Sequence, residues 1–157
     1  FNPKVNRVIK LPPALMSQAW MGSDFSNNDL AKSDSILNDY THTLMRTETR
    51  GGHTVYVIKS MPKPAAPVVW GMQILEIRDD DVLLSEEFFD EDLVSVKIMT
   101  TREIQMMGGR LFPKVWQMQE TDKQDQYTLL RYHALEFKDD LPDRLFTLNA
   151  LKTQQRR

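Results

Sequence analysis

Val68-Val-Trp-Gly-Met-Gln-Ile-Leu-Glu-Ile-Arg78 runs into Asp79-Asp80-Asp81, then Val82-Leu-Leu-Ser-Glu-Glu-Phe-Phe89, Asp90-Glu91-Asp92 and Leu93-Val-Ser-Val-Lys-Ile-Met-Thr-Thr-Arg102. Three apolar runs of strand length are cut by two acidic turns. Trp70, Met72 and Ile74 alternate on one side of the first run, and Val94, Val96 and Ile98 on one side of the third. Period-two alternation between turn signals reads as an antiparallel meander. The same grammar extends outward. Asp39 to Thr49 and His53 to Ser60 flank Arg50-Gly51-Gly52, and glycine supplies the positive φ of a tight hairpin. Gly108-Gly109 marks another turn, and Leu111 to Glu120 and Gln126 to Phe137 form a last hairpin around Thr121–Asp125. Val5 to Leu11 reads as a strand stopped by Pro12 and Pro13. With three prolines in seven residues, Met61 to Pro67 reads as a loop. Ser26-Asn-Asn-Asp29 reads as the capped start of a short helix reaching about Lys32. Asp139 to Asn149 carries Pro142 at a first helical turn and reads as a short helix or docking segment. The sum is about eight strands and little helix.

Composition excludes several functions. The 157 residues (18.3 kDa) are 41% hydrophobic and 27% charged, ordinary for a globular domain. The net charge of -2 excludes a broadly basic nucleic-acid binder, and Arg7, Lys10, Arg46 and Arg50 are not interleaved with aromatics. With no cysteine there is no disulfide, thiolate metal site or Cys nucleophile. Leu11 to Ser23, the longest stretch without a charge, is too short and too broken by proline to span a bilayer, so the chain is peripheral to a membrane at most. A start at Phe1 without Met reads as a processed leader or a fragment. His42, His53 and His133 show no metal-ligand spacing. Ser60-Met-Pro-Lys63 matches Ser-x-x-Lys, but its prolines force a loop where that motif needs a helix start. The acidic groups Asp79–Asp81, Glu86–Glu87 and Asp90–Asp92 fit no calcium loop and read as solvated turns. No catalytic residues, metal ligands or cofactor site emerge, and the expectation is a protein that is not an enzyme.

What remains is apolar surface. The strand from Gln126 carries Leu130, Tyr132 and Ala134 on one side and Leu129, Leu135 and Phe137 on the other. Nine methionines and three tryptophans supply large, adaptable side chains. A sheet apolar on both faces, in a chain with few helices to cover it, points to missing cover or to a greasy ligand.

Trp20-Met-Gly-Ser-Asp-Phe-Ser-Asn-Asn-Asp-Leu30 resembles the signature of the outer-membrane lipoprotein-sorting family, the LolA-like group. Phe1 to Ile9 resembles the strand that leads into it, and Asp39-Tyr40, Val57-Ile58, Pro62-Lys63, Thr128 and Leu145-Phe146-Thr147 before Leu151 add support along nearly the whole chain. The resemblance implies a mainly β (α+β) fold, a curved antiparallel sheet forming an incomplete barrel with short helices over its concave face. It implies one domain over 1–157 that lacks N-terminal strands and a helix, because family members begin with a signal peptide and a further region before the segment matching Phe1. It also implies a periplasmic location and an apolar cavity for a lipid or lipoprotein acyl chain, with an envelope transporter or lipoprotein as possible partner. Gly22, Ser23, Asp24, Phe25 and Asp29 would form a structural corner, with Gly22 turning the chain and Asp24 or Ser26 capping the helix. Strand parity picks Trp70, Met72, Ile74, Val96, Ile98, Trp116, Met118 and Tyr132 as cavity residues. The alternative is an interaction or sensor module of the cell envelope acting through the same sheet.

Overall fold

The computed structural model describes Pro12 and residues 15–153. Seven antiparallel strands pair in sequence order: β1 (Tyr40–Arg50), β2 (His53–Pro62), β3 (Met72–Arg78), β4 (Leu83–Phe89), β5 (Ser95–Met107), β6 (Arg110–Glu120) and β7 (Thr128–Arg131). Among the described residues the sheet is not closed, and β1 and β7 are its edges. This is the expected mainly β meander. The eighth expected strand, Val5 to Leu11, lies outside the described residues. Among the described residues three short α-helices accompany the sheet: α1 (Asn27–Ala31), α2 (Ser35–Asn38) and α3 (Leu148–Thr153), the last preceded by a 3₁₀ turn at Asp143–Phe146.

Both glycine pairs make two-residue hairpins. Arg50 pairs with His53 across Gly51-Gly52 (φ 60° and 82°), and Met107 with Arg110 across Gly108-Gly109 (φ 55° and 84°). Positive φ at both central positions is the turn whose twist matches that of the flanking strands.

The boundaries differ from the sequence reading in several places. β2 takes in Met61 and Pro62, which pair with Thr41 and Tyr40, so the expected loop begins only at Lys63. The third strand begins at Met72 rather than Val68. Gly71 donates to the carbonyl of Phe89 (3.0 Å) and packs directly on the chain at Asp90, so the strand can start only once the crossing is passed. A Cβ at position 71 would overlap the Asp90 carbonyl oxygen and lie 2.9 Å from the Glu91 Cα. Gly71→Ala is therefore expected to cost about 2 kcal/mol, checked by urea unfolding, because both obstacles are backbone. β5 runs on to Met107, since Thr101–Met107 stays paired with β6 through two register shifts. β7 is short: after Tyr132 donates to Lys114 (2.9 Å) the chain leaves the ladder and crosses the Gly108 hairpin, where Phe137 stacks near Phe112 (6.1 Å). The expected Asp139–Asn149 helix is split in two, with Pro142 at the N-terminus of the 3₁₀ turn.

The two faces of the sheet are built differently. One row of cross-strand neighbours is Ser60, Gln73, Phe88 and Lys97; the next is Leu75, Glu86, Met99 and Met118; a third is Thr101, Trp116 and Leu130. This face carries the main core, in which Phe25 packs with Phe88 and Met118, joined by Trp70, Met99 and Leu130. On the opposite face Val57 sits between Arg46 and Glu76, and Val55 between Glu48 and Arg78. Both valines are buried, although their neighbours are charged. Long charged side chains can lay their apolar stems over valine while their heads stay wet, and here the heads pair: Arg50 with Glu76 (2.8 Å) and Glu48 (2.9 Å), and Arg46 with Glu48 (2.6 Å).

Candidate functional site

The site is built by the segment just before the sheet. The Ser26 hydroxyl accepts from the backbone N–H of Asp29 (3.2 Å), and the Asp29 carboxylate accepts from the backbone N–H of Ser26 (2.7 Å). This reciprocal box satisfies two backbone donors that a helix start leaves open, and it starts α1 at the expected place. Upstream, Gly22 turns the chain with φ 75°, and the Ser23 hydroxyl donates to the Trp20 carbonyl (2.6 Å). Ala19 and Ser26 then form an isolated bridge. Asp24 does not cap α1. Its carboxylate accepts from the Thr128 hydroxyl (2.6 Å), whose oxygen accepts from the Asp24 backbone N–H (3.0 Å). The corner is thus fastened to β7, while Phe25 drops into the core.

Asp29 does more than cap. It forms an ion pair with Lys97 of β5, and its other oxygen accepts from the Trp70 indole N–H (3.3 Å). The side chains of Lys97 and Asp29 are only 5% and 6% exposed. The Lys97 ammonium lies 4.9 Å from the centre of the Trp70 ring and 5.5 Å from that of Phe88, and it also donates to the Asp24 carbonyl (3.3 Å). One buried ion pair therefore clamps α1 onto the sheet.

Between α1, α2 and the sheet lies a cleft of about 280 Å³. Phe25, Trp70, Met99, Trp116, Met118 and Leu130 supply its apolar lining. Its polar lining is Asn28, Asp29, Gln73 and Glu86, with Lys32, Ser33 and Ser35 from the helices and the turn between them. Burial pushes Glu86 up to about 7, helped by the negative charge of Asp29 and opposed by Lys97. Tyr40, whose hydroxyl donates to the Trp70 carbonyl (3.0 Å), is pushed up to about 12 by burial and stays a donor.

Four of the eight residues picked by parity line this cleft: Trp70, Trp116, Met118 and Tyr132. Val96 lines a smaller cavity of about 140 Å³ beside it, with Val69, Trp70 and Lys97. Met72, Ile74 and Ile98 line neither. Register explains the division: Gln73 and Lys97, their neighbours in sequence, point to the helix side, so Ile74 and Ile98 share the opposite face, paired through Glu87. Trp70 reaches the cleft from the irregular segment before β3, where strand parity does not apply. The sequence reading passed over Gln73, Lys97 and Glu86. In sequence Glu86 reads with the solvated acidic turns, yet it sits in mid-strand. The available signal was polar residues spaced by two on strands flanked by acidic turns.

Among the described residues one group could offer three metal ligands, His53, Asp79 and Asp80. Its carboxylates are already engaged. Asp79 bonds His53 (2.8 Å) and accepts from the Thr54 N–H (2.9 Å), and Asp80 accepts from Arg78 (2.6 and 2.7 Å). No described helix is long and apolar enough to cross a membrane.

Three solved structures share this architecture. One is described as an outer membrane lipoprotein-sorting protein domain from Vibrio parahaemolyticus (TM-score 0.79, 21% identity, 97% of this chain and 64% of that one). Another is a DUF1329 family protein from Desulfovibrio piger (TM-score 0.76, 21% identity, 88% of this chain and 57% of that one). A third is a LolA superfamily protein from Nitrosomonas europaea (TM-score 0.73, 22% identity, 96% of this chain and 66% of that one). The chain thus spans 57% to 66% of the length of these structures. At such identities the likeness establishes the fold, which is LolA-like, as the Trp20–Leu30 signature implied. No curated protein matches the chain. Residues 1–153 match the model of a family described as "-like: Uncharacterized protein", and the chain belongs to that family, built on a LolA-like fold.

Proposed function

We propose that the protein is a periplasmic carrier or chaperone that seats a lipid or lipoprotein acyl chain in the cleft between α1 and the sheet, in outer-membrane lipoprotein sorting or envelope lipid transport. The carrying observation is the cleft itself, about 280 Å³ with Trp70, Trp116, Met118 and Leu130 on its walls. That volume falls just below the roughly 300–1,000 Å³ usual for ligand pockets. The driving force is burial, about 0.8 kcal/mol for each methylene taken from water, and it needs no catalytic group. The neighbours described as lipoprotein-sorting and LolA superfamily proteins support the reading, and an envelope transporter or lipoprotein is the fitting partner.

The test is uptake of an N-palmitoylated peptide amide carrying a fluorophore. Saturable one-to-one binding is expected, with quenching of tryptophan fluorescence, and at least tenfold weaker binding to Met118→Lys. Non-saturable uptake, or uptake that Met118→Lys leaves unchanged in a folded protein, sinks the proposal.

A second reading has its own support. β1 is an edge strand, eleven residues long, with Leu44 and Met45 about half exposed. An envelope protein adding a strand there would make this a docking module. Proline substitutions in β1 would then abolish partner capture and spare lipopeptide uptake.

A further inference from the structure

The cleft is not uniformly apolar, and its polarity is ordered along the sheet. On β3 lies Gln73, 4% exposed, whose side-chain carbonyl oxygen has no hydrogen-bond partner among the described residues. Diagonally across on β4, one register row along, is Glu86, whose carboxyl receives no hydrogen bond from a described residue; the nearby Lys97 is taken by Asp29. From Glu86 the register row continues to Met99 on β5 and Met118 on β6, with Trp116 and Leu130 in the row beside it. With strands about 4.8 Å apart, the apolar floor extends roughly 10 Å from Met99 on β5 to Leu130 on β7. Buried acceptors without donors are rare and costly in folded proteins. Here one of them belongs to a residue that lines a ligand-sized space, with a carboxyl on the same face.

We propose that the cleft takes an amphiphile head-first, its N–H- or O–H-bearing neutral or ammonium head donating to the Gln73 oxygen and the Glu86 carboxyl, and its tail lying over Met99, Met118 and Leu130. The inference rests on the acyl-chain reading above and adds the chemistry of the head. Charge supports it as well. Asp29 and Lys97 neutralise each other, and the Lys32 ammonium donates to the Pro67 carbonyl (2.7 Å) in an exposed hydrogen bond, so an ionised Glu86 leaves the buried polar end net negative. Carboxylate and phosphate heads are repelled there, whereas an amide, alcohol or ammonium meets two acceptors. An acylated amine or peptide amide has this head; a free fatty acid does not.

The experiment compares chain-matched probes at pH 8: dodecanamide, dodecanol and dodecylamine against dodecanoate and dodecyl phosphate. Each displaces a neutral fluorescent alkyl probe from the whole chain. The donor-bearing heads are expected to bind at least tenfold more tightly than the two anions. Glu86→Gln should bring dodecanoate to within about threefold of dodecanamide, because the repelling charge is gone. Gln73→Met should weaken dodecanamide and leave the neutral alkyl probe unaffected. Cooperative thermal unfolding confirms that each variant is folded. If all five heads bind the wild type alike, or the anions bind best, the head-first inference is overturned while the carrier reading stands. If no probe binds, including the neutral alkyl one, both fall.

Discussion

Asp29→Ala is expected to lower the unfolding free energy by about 3–5 kcal/mol, the usual cost of stranding one member of a buried ion pair. The substitution leaves the Lys97 ammonium among Trp70, Phe88 and the Asp24 carbonyl with no counter-charge. It also removes the acceptor for the Ser26 N–H and for the Trp70 indole. These losses can be separated. Ser26→Ala removes the hydroxyl half of the cap and should cost about 1 kcal/mol. Asp29→Ala combined with Lys97→Met should recover a large part of the Asp29→Ala loss, because no charge is then stranded in the core. Urea unfolding at pH 7, followed by tryptophan emission, measures all three. A loss of about 1 kcal/mol for Asp29→Ala, equal to that of Ser26→Ala, would reduce Asp29 to a helix cap and remove the clamp. With total stabilities of about 5–15 kcal/mol common for domains, the expected loss also bears on function. α1 is a wall of the cleft, and Asp29 holds it to β5.

The meander was legible because its punctuation is local. Gly51-Gly52, Gly108-Gly109 and Asp79–Asp81 each specify a turn from their own backbone preferences, and the runs between them have strand length. The Ser26–Asp29 cap was legible for the same reason: both partners lie within one helical turn. The cleft was only half legible, because facing depends on register. Parity within a strand says that Gln73 and Ile74 point to opposite sides, but not which side α1 covers. Size and apolarity favour Ile74 and Ile98 over Gln73 and Lys97. What reverses it is a contact across 68 residues, the pair of Asp29 and Lys97. A lysine on a strand reads as solvent-facing until its carboxylate partner arrives from a distant helix. The opposite face misleads in the complementary way, since Val55 and Val57 are buried between charged neighbours, with no helix among the described residues assigned to cover them. Apolar character on both sides therefore signalled one cleft and one charged lattice rather than two ligand surfaces.

Glu86→Gln is expected to stabilise the protein above pH 7 by up to about 3 kcal/mol and to leave it nearly unchanged at pH 4.5. Burial is the main cause of the raised value near 7, Asp29 adds to it, and Lys97 opposes it. The unfolded chain releases the Glu86 proton near 4.5. Below that pH both states hold the proton and ionisation costs nothing. Between about 4.5 and 7 the unfolded chain binds fewer protons than the folded one, so stability falls as pH rises. Above 7 both are ionised and the penalty is complete. A shift of about 2.5 units at 1.36 kcal/mol per unit gives the figure of about 3. Glutamine keeps the shape and cannot ionise, so the difference between the two unfolding curves isolates this one group from every other that titrates. Parallel curves between pH 4.5 and 7 would show that Glu86 is solvated and that the polar end of the cleft is wet. A bound ammonium or amide donor favours the ionised carboxyl, so in a saturating dodecylamine or dodecanamide complex the fall should still begin near pH 4.5 but end at lower pH and be smaller. Saturating the cleft should therefore shrink the advantage of Glu86→Gln at pH 8, because the donor that wild-type Glu86 lacks is then in place.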